Sequence, residues 1–141
     1  MVVPKFRAWN TFHNKWVKHF YITENGLIYN MEQPHRDLIG AVPIEKSGLV
    51  VMQSTGLFDK NGKEIFEGDV VESTWFKGYD DCVGYRKAGV VVYRDGCFRI
   101  EYPGEEEKGY FSITLKFAVS VEIIGNIYEN PELVEGVGNG N

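Results

Sequence analysis

Val90-Val91-Val92-Tyr93-Arg94-Asp95-Gly96-Cys97-Phe98-Arg99-Ile100-Glu101 consists of two apolar-rich runs on either side of an Asp-Gly pair. Valine, isoleucine, phenylalanine and tyrosine suit a pleated surface, and Asp95-Gly96 accepts the positive φ angles of a primed two-residue turn. The stretch predicts a β-hairpin, and the same punctuation recurs in both directions from it. Upstream, Asn61-Gly62 marks another hairpin, and Glu67-Gly68-Asp69 opens a long strand over Val70–Phe76. The run Leu49–Gln53 and the short Glu64–Phe66 are further strands, and Lys77–Ala88 reads as an exposed loop. Downstream, strands are predicted over Tyr110–Phe117 and Val121–Ile124. Asn130-Pro131 opens one helical turn, because Asn caps and Pro fits the first helical position.

Nearer the N-terminus, strands are predicted over Lys5–Trp9, Trp16–Ile22 and Leu27–Tyr29, with Asn14-Lys15 and Asn25-Gly26 at turns. Residues 31–47, broken by Pro34, Gly40 and Pro43, read as a connecting loop. Helical periodicity is missing throughout, so the fold class is all-β. Residues 49–134 predict a small closed or nearly closed barrel, closure being what removes exposed strand edges. Residues 1–48 predict a smaller antiparallel β-subdomain that covers Phe6, Trp9, Trp16 and Phe20. The tail 135–141 reads as disordered. Asn61, Gly62, Gly68, Asp69, Asp95, Gly96 and Gly125 are assigned as structural turn residues.

The chain has 141 residues, of which 43% are hydrophobic. A chain of this size buries roughly 68–70% of the surface its unfolded form exposes, enough for a core without disulfides or metal. Fifteen basic against twenty acidic side chains give a net charge of −5, which argues against a dedicated duplex-binding protein. The average hides an asymmetry. Residues 1–22 carry Lys5, Arg7, Lys15 and Lys18 with no acid, whereas residues 101–141 carry eight acids against Lys108 and Lys116. Such a split supports head-to-tail contact between copies, a local anion patch, or simply solvated faces.

Cys82 and Cys97 lack the spacing of a zinc site and read as reduced thiols, Cys97 as a small core hydrophobe. No apolar run follows a basic start and no stretch approaches the ~18 apolar residues of a membrane span, so neither secretion nor a membrane is expected. His13, His19 and His35 share no metal-binding spacing. A calcium loop centred on Gly62 fails in register, with Leu57 at the first ligand position and Gly68 at the last. No cofactor or metal is expected.

Two chemistries keep candidate residues. Lys5, Arg7, Trp9, Trp16 and Lys18 place cations among aromatics on neighbouring strands, an arrangement that stacks bases and meets phosphates when exposed and builds a core when buried. Glu64, Glu67, Asp69, Glu72, Asp80 and Asp81 are the carboxylates available to a hydrolase, which needs two of them in environments that split their pKa values. Asp69, after Gly68, more simply bonds backbone amides in its own turn.

Three segments together resemble the YopX family of bacteriophage and prophage proteins. They are Lys5-Phe6-Arg7-Ala8-Trp9, the block from Met52 to Val71 containing Asp59-Lys60-Asn61-Gly62 and Glu67-Gly68-Asp69, and Val121–Leu133 with its Gly125-Asn126-Ile127-Tyr128-Glu129-Asn130-Pro131. The resemblance implies an SH3-like barrel in the C-terminal two-thirds, a phage or prophage gene and a homo-oligomer, and it carries over no catalytic residues. The leading expectation is a non-enzymatic protein of the bacterial cytoplasm that binds copies of itself or a phage or host protein. A nucleic-acid-associated module and a small carboxylate-dependent hydrolase are the alternatives.

Overall fold

The computed structural model describes residues 4–32, 40–75, 85–103 and 112–134. His35, Asp80, Asp81, Cys82, residues 77–84 of the expected loop and the tail 135–141 lie outside the described residues. The strands are β1 (Phe6–Asn10), β2 (Lys15–Val17), β3 (Phe20–Ile22), β4 (Leu27–Asn30), β5 (Val42–Pro43), β6 (Leu49–Phe58), β7 (Glu64–Phe66), β8 (Asp69–Trp75), β9 (Tyr85–Arg94), β10 (Cys97–Glu101), β11 (Ser112–Thr114) and β12 (Val119–Asn126). Their pairings are antiparallel. Helix among the described residues is confined to single turns at Ile44–Lys46, Leu115–Phe117 and 132–134. The all-β class follows. The chain forms two compact units that part between Gln53 and Ser54, inside β6.

In the N-terminal unit, β1 lies between β2 and the first half of β6. Strand alternation places Ala8 opposite Val17 and Val51, and Ala8, Val17, Leu49 and Ile28 form the buried core. β3, β4 and β5 make a separate three-stranded sheet. Where the sequence predicts one strand over Trp16–Ile22, the structure has two, broken at Lys18-His19. The Glu32 carboxylate accepts the N–H of Lys18 at 2.7 Å and that of His19 at 3.5 Å, giving those donors a partner outside any ladder. β2 then pairs with β1, and β3 with β4. The connection expected over 31–47 contains β5 and a helical turn.

In the C-terminal unit, β8 to β11 run as a meander and β12 returns to β8, giving the order β11-β10-β9-β8-β12. Ile65, Val71, Val91, Ile100, Tyr102 and Leu115 form its buried core. The second half of β6 pairs with β7. Two expectations are corrected. Tyr85–Ala88, read as loop, begins β9 and continues the ladder with β8, a main-chain pairing that its side-chain pattern does not reveal. The strand expected to reach Phe117 stops at Thr114, and Leu115–Phe117 wind one turn closed by Ala118 N–H to the Leu115 carbonyl at 3.0 Å. Strand alternation would put Leu115 and Phe117 on one face, whereas the turn buries Leu115 and leaves Phe117 out.

The turns explain the register. Asp95 (φ 53°) and Gly96 (φ 81°) are both left-handed, as a primed turn requires. Lys60-Asn61-Gly62 is instead a three-residue loop in which only Gly62 is left-handed, with Asp59 N–H bonded to the Lys63 carbonyl at 2.8 Å. Gly68 is left-handed, and Asp69 Oδ2 accepts the Phe66 N–H at 2.8 Å across that turn. Gly125 is not in a turn: it lies in β12 without a left-handed φ, beside a break in the register with β8.

Candidate functional site

The structure brings three of the five basic and aromatic candidates together. Trp9 and Trp16, opposite one another on β1 and β2, meet edge to face with centroids 5.0 Å apart. The Arg7 guanidinium lies 4.8 Å from the Trp16 ring centroid. Trp9 retains 7% exposure and Trp16 is half-buried, so neither ring stands as an open platform. Lys5, ahead of β1, and Lys18, after β2, are exposed.

The carboxylates are dispersed. Glu64 accepts a hydrogen bond from Ser54 Oγ, Asp69 is buried in its turn, and Glu67 and Glu72 are half-buried on separate elements. Asp59, not singled out by charge patterning, is the carboxylate with the most developed surroundings. Its Oδ1 accepts the N–H groups of Asn61 and Lys63, and its Oδ2 that of Ile123. Burial pushes its pKa up, but these three donors and the Lys63 charge together hold it below the ordinary carboxylate value. Burial also pushes the Tyr102 hydroxyl up, where it shares a hydrogen bond with Ser73 at 3.1 Å. His13 and His19 are exposed, and half-buried Cys97 has its Sγ 3.8 Å from Arg99 Nη1. No His, Cys, Asp and Glu group with the makings of a metal site occurs among the described residues.

A groove of about 320 Å³ opens on the C-terminal unit. Its floor reaches the core at Ile65 and Leu115, its walls include Leu57, Phe58, Ala118 and Val121, and Asp59, Lys60, Lys116 and Ser120 complete the lining. In its walls Phe58 is 60% and Leu57 37% exposed, and on the segment that supplies Lys116 to Val121 Phe117 is 65% and Val119 51% exposed. Phe117 and Val119 are interleaved in sequence with the lining residues Lys116, Ala118 and Ser120, on a segment that turns at Leu115–Phe117 and bulges after Val119. At that bulge Ser120 takes φ 55°, and its carbonyl accepts a 2.6 Å hydrogen bond from Arg86 Nη1. A second concavity, about 600 Å³, lies over Val90, Val92 and Ile127 beside the Arg94–Glu101 ion pair. Each concavity has a single carboxylate in its lining.

None of the groove's exposed residues stands out in the sequence. Leu57 and Phe58 read as the end of an apolar run, and Phe117 as one more strand residue. The available signal is their position beside turns.

Comparison with known proteins places the chain. The model of the YopX protein family matches residues 5–135. The chain belongs to the YopX family. Among solved structures it is similar to protein EF1440 from Enterococcus faecalis, with a TM-score of 0.60 and 29% identity over 95% of this chain and 99% of that one. It is also similar to YopX from Bacillus subtilis, with a TM-score of 0.57 and 23% identity over 94% of this chain and 96% of that one, a likeness of fold. No curated protein matches it. The YopX match takes in β1, the Asp59 turn, the groove and the Gly125–Leu133 segment.

Proposed function

We propose that this YopX-family chain is a non-enzymatic attachment protein, encoded by a phage or prophage and working in the cytoplasm of the bacterial host. Its C-terminal unit acts as an SH3-like barrel, a reading supported by five antiparallel strands in which the last returns to the first. The observation that carries the proposal is an apolar groove with Leu57 and Phe58 exposed in its walls, and Phe117 and Val119 exposed on the segment that gives it Lys116, Ala118 and Ser120. Apolar side chains gathered at a concave surface mark a contact site, whereas singly scattered ones do not. The carboxylates support the same reading, since Asp59 and Asp69 serve backbone N–H groups. Among the described residues no helix is long and apolar enough to cross a membrane.

A photo-crosslinking residue placed at Phe117 in expressing cells tests this, with the same residue at exposed Tyr21 as control. Adducts are expected from position 117 and not from 21. No adduct at 117 would remove the proposal.

A further inference from the structure

Asn25-Gly26 and Asn61-Gly62, the two Asn-Gly pairs among the described residues, sit in loops of the same backbone design. Thr23 N–H donates to the Leu27 carbonyl at 2.8 Å and Gly26 N–H to the Thr23 carbonyl at 3.0 Å. In the other loop Asp59 N–H donates to the Lys63 carbonyl at 2.8 Å and Gly62 N–H to the Asp59 carbonyl at 3.0 Å. The first side chain of each loop accepts the N–H of the last residue, Thr23 Oγ1 from Leu27 and Asp59 Oδ1 from Lys63, both at 2.9 Å. Gly26 and Gly62 are left-handed at φ 85° and 82°, and a Cβ built on either meets nothing within 4 Å. Both asparagines are exposed. The loops differ at the carboxamides. Asn25 Oδ1 accepts the Thr23 hydroxyl, whereas the ionised Asp59 has no proton to give and the Asn61 carboxamide makes no hydrogen bond among the described residues.

An asparagine followed by glycine is open to attack on its own side chain, since no Cβ shields the next backbone nitrogen. The Gly62 nitrogen bonds to Asn61 Cγ, the Cγ–Nδ2 bond breaks, and the proton of the Gly62 N–H leaves with Nδ2 as ammonia. Water then opens the cyclic imide and returns a proton to the Gly62 nitrogen. Cleavage at Cγ gives aspartate; cleavage at the main-chain carbonyl gives isoaspartate, whose chain runs through Cγ with an extra backbone carbon. The net change is carboxamide and water to carboxylate and ammonia. The ring closes only when Cγ swings to the glycine nitrogen. In both loops the glycine N–H must first leave its carbonyl, and only Asn25 must also give up a side-chain hydrogen bond.

We propose that Asn61 is a self-modification site that converts to aspartate and isoaspartate, and that the Thr23 hydroxyl protects Asn25 from the same reaction. The conversion reaches beyond its own loop, which is tied to β12 by Ile123 N–H on the Asp59 carboxylate and by Lys60 N–H on the Val121 carbonyl. An extra backbone carbon lengthens a loop whose ends are fixed by the Asp59–Lys63 pairing, so isoaspartate slackens both ties.

Peptide mapping by mass spectrometry, after the full chain has aged in mildly alkaline buffer, is the test. Asn61 is expected to lose its amide about 2- to 10-fold faster than Asn25, the factor one neutral hydrogen bond supplies. In concentrated urea the two rates should converge. Thr23→Asp keeps an acceptor for the Leu27 N–H but has no proton for Asn25, and should raise Asn25 to the Asn61 rate. Thr23→Ser keeps the hydroxyl and should leave Asn25 slow. Hydrogen exchange at the Ile123 amide should be faster in aged wild type and unchanged in aged Asn61→Gln, whose longer side chain closes the ring poorly. Equal rates in the folded chain, a faster Asn25, an Asn61 that stays intact, or a Thr23→Asp chain with Asn25 unchanged overturns the proposal. So does a gap that persists in urea, which would place the difference in the neighbouring residues and not in the fold. Unchanged Ile123 exchange in aged wild type overturns the coupling to β12.

Discussion

The Asp59 carboxylate accepts the backbone N–H of Ile123 at 3.0 Å, joining positions 64 apart in the chain. Beside it, Lys60 N–H donates to the Val121 carbonyl at 2.8 Å, so the β6–β7 loop is tied to β12 twice. The other Asp59 oxygen holds its own loop through Asn61 and Lys63, each at 2.9 Å. Hydrogen bonds to an ionised group are worth about 1.5–3 kcal/mol each, and a buried donor left without a partner adds its desolvation penalty. Asp59→Ala is therefore expected to lose about 2–4 kcal/mol of stability in equilibrium denaturation. Asp59→Asn should lose nearly as much, because its amide turns a donor toward donors. A loss below about 1 kcal/mol would contradict this role.

The same carboxylate sets an acid limit. Burial alone would raise its pKa, but the donors outweigh burial and the folded value lies below the unfolded one, near ~3.9. The unfolded chain then binds more protons than the folded chain between the two values. Asp59 stabilises fully above the unfolded value, and its contribution disappears as pH falls through the folded one. Stability measured from about pH 6 down to about pH 3 should fall less steeply in Asp59→Asn than in wild type. Parallel curves would rule out this linkage.

How far the sequence discloses this architecture depends on whether a signal is local. Asp95-Gly96 through both its φ angles, and Asn61-Gly62 through that of Gly62, turn the chain into hairpins, and both are present. Asp69 bonds an amide of its own turn, as its place after Gly68 implies. The break at Lys18-His19 depends on Glu32, 14 residues away from Lys18, and the start of β9 on main-chain pairing to β8, so neither shows in side-chain pattern. The groove is least legible. Phe58 and Phe117 are apolar residues in apolar runs, and only the three-dimensional course of β6 and of the Leu115–Phe117 turn leaves them exposed among the described residues.

Gly125 is required for space and not for a turn. A Cβ built there would lie 2.5 Å from Asn130 Oδ1 and 2.7 Å from Leu133 Cδ1. Gly125→Ala must push the 130–133 segment away from β12, a crowding penalty of about 1–3 kcal/mol. Denaturation should show that loss, and limited proteolysis should show faster cleavage beyond Asn126. Unchanged protection would mean the segment yields without cost.

Trp9 and Trp16 should part in behaviour. Trp9 is buried, and Trp9→Ala is expected to lose about 3–5 kcal/mol and the near-ultraviolet signature of the N-terminal unit. Trp16 is half-buried, and Trp16→Ala should stay folded while losing the contact with Arg7, worth about 0.5–1 kcal/mol. A folded Trp16→Ala chain that loses a salt-dependent affinity for single-stranded DNA shown by wild type would revive stacking as a function of these strands.

Ser120 holds a left-handed φ of 55°, a conformation that costs an L-residue about 1 kcal/mol, on the lip of the groove. Arg86 secures it. Its Nη1 donates to the Ser120 carbonyl at 2.6 Å and to Thr74 Oγ1 at 3.2 Å, and its Nη2 to the Glu72 carbonyl at 3.0 Å, which joins β12 to β8. Ser120→Gly removes the steric penalty and should stabilise by about 0.5–1 kcal/mol. Arg86→Ala should destabilise by about 1–2 kcal/mol, and Ser120→Gly in that background should recover part of the loss. Arg86→Lys should not rescue, because one ammonium cannot serve acceptors that the planar fork reaches through two nitrogens. Denaturation of the four variants checks the set. If Arg86→Lys matches wild type, charge alone secures the bulge; if Ser120→Gly destabilises, its left-handed backbone carries no strain for glycine to relieve.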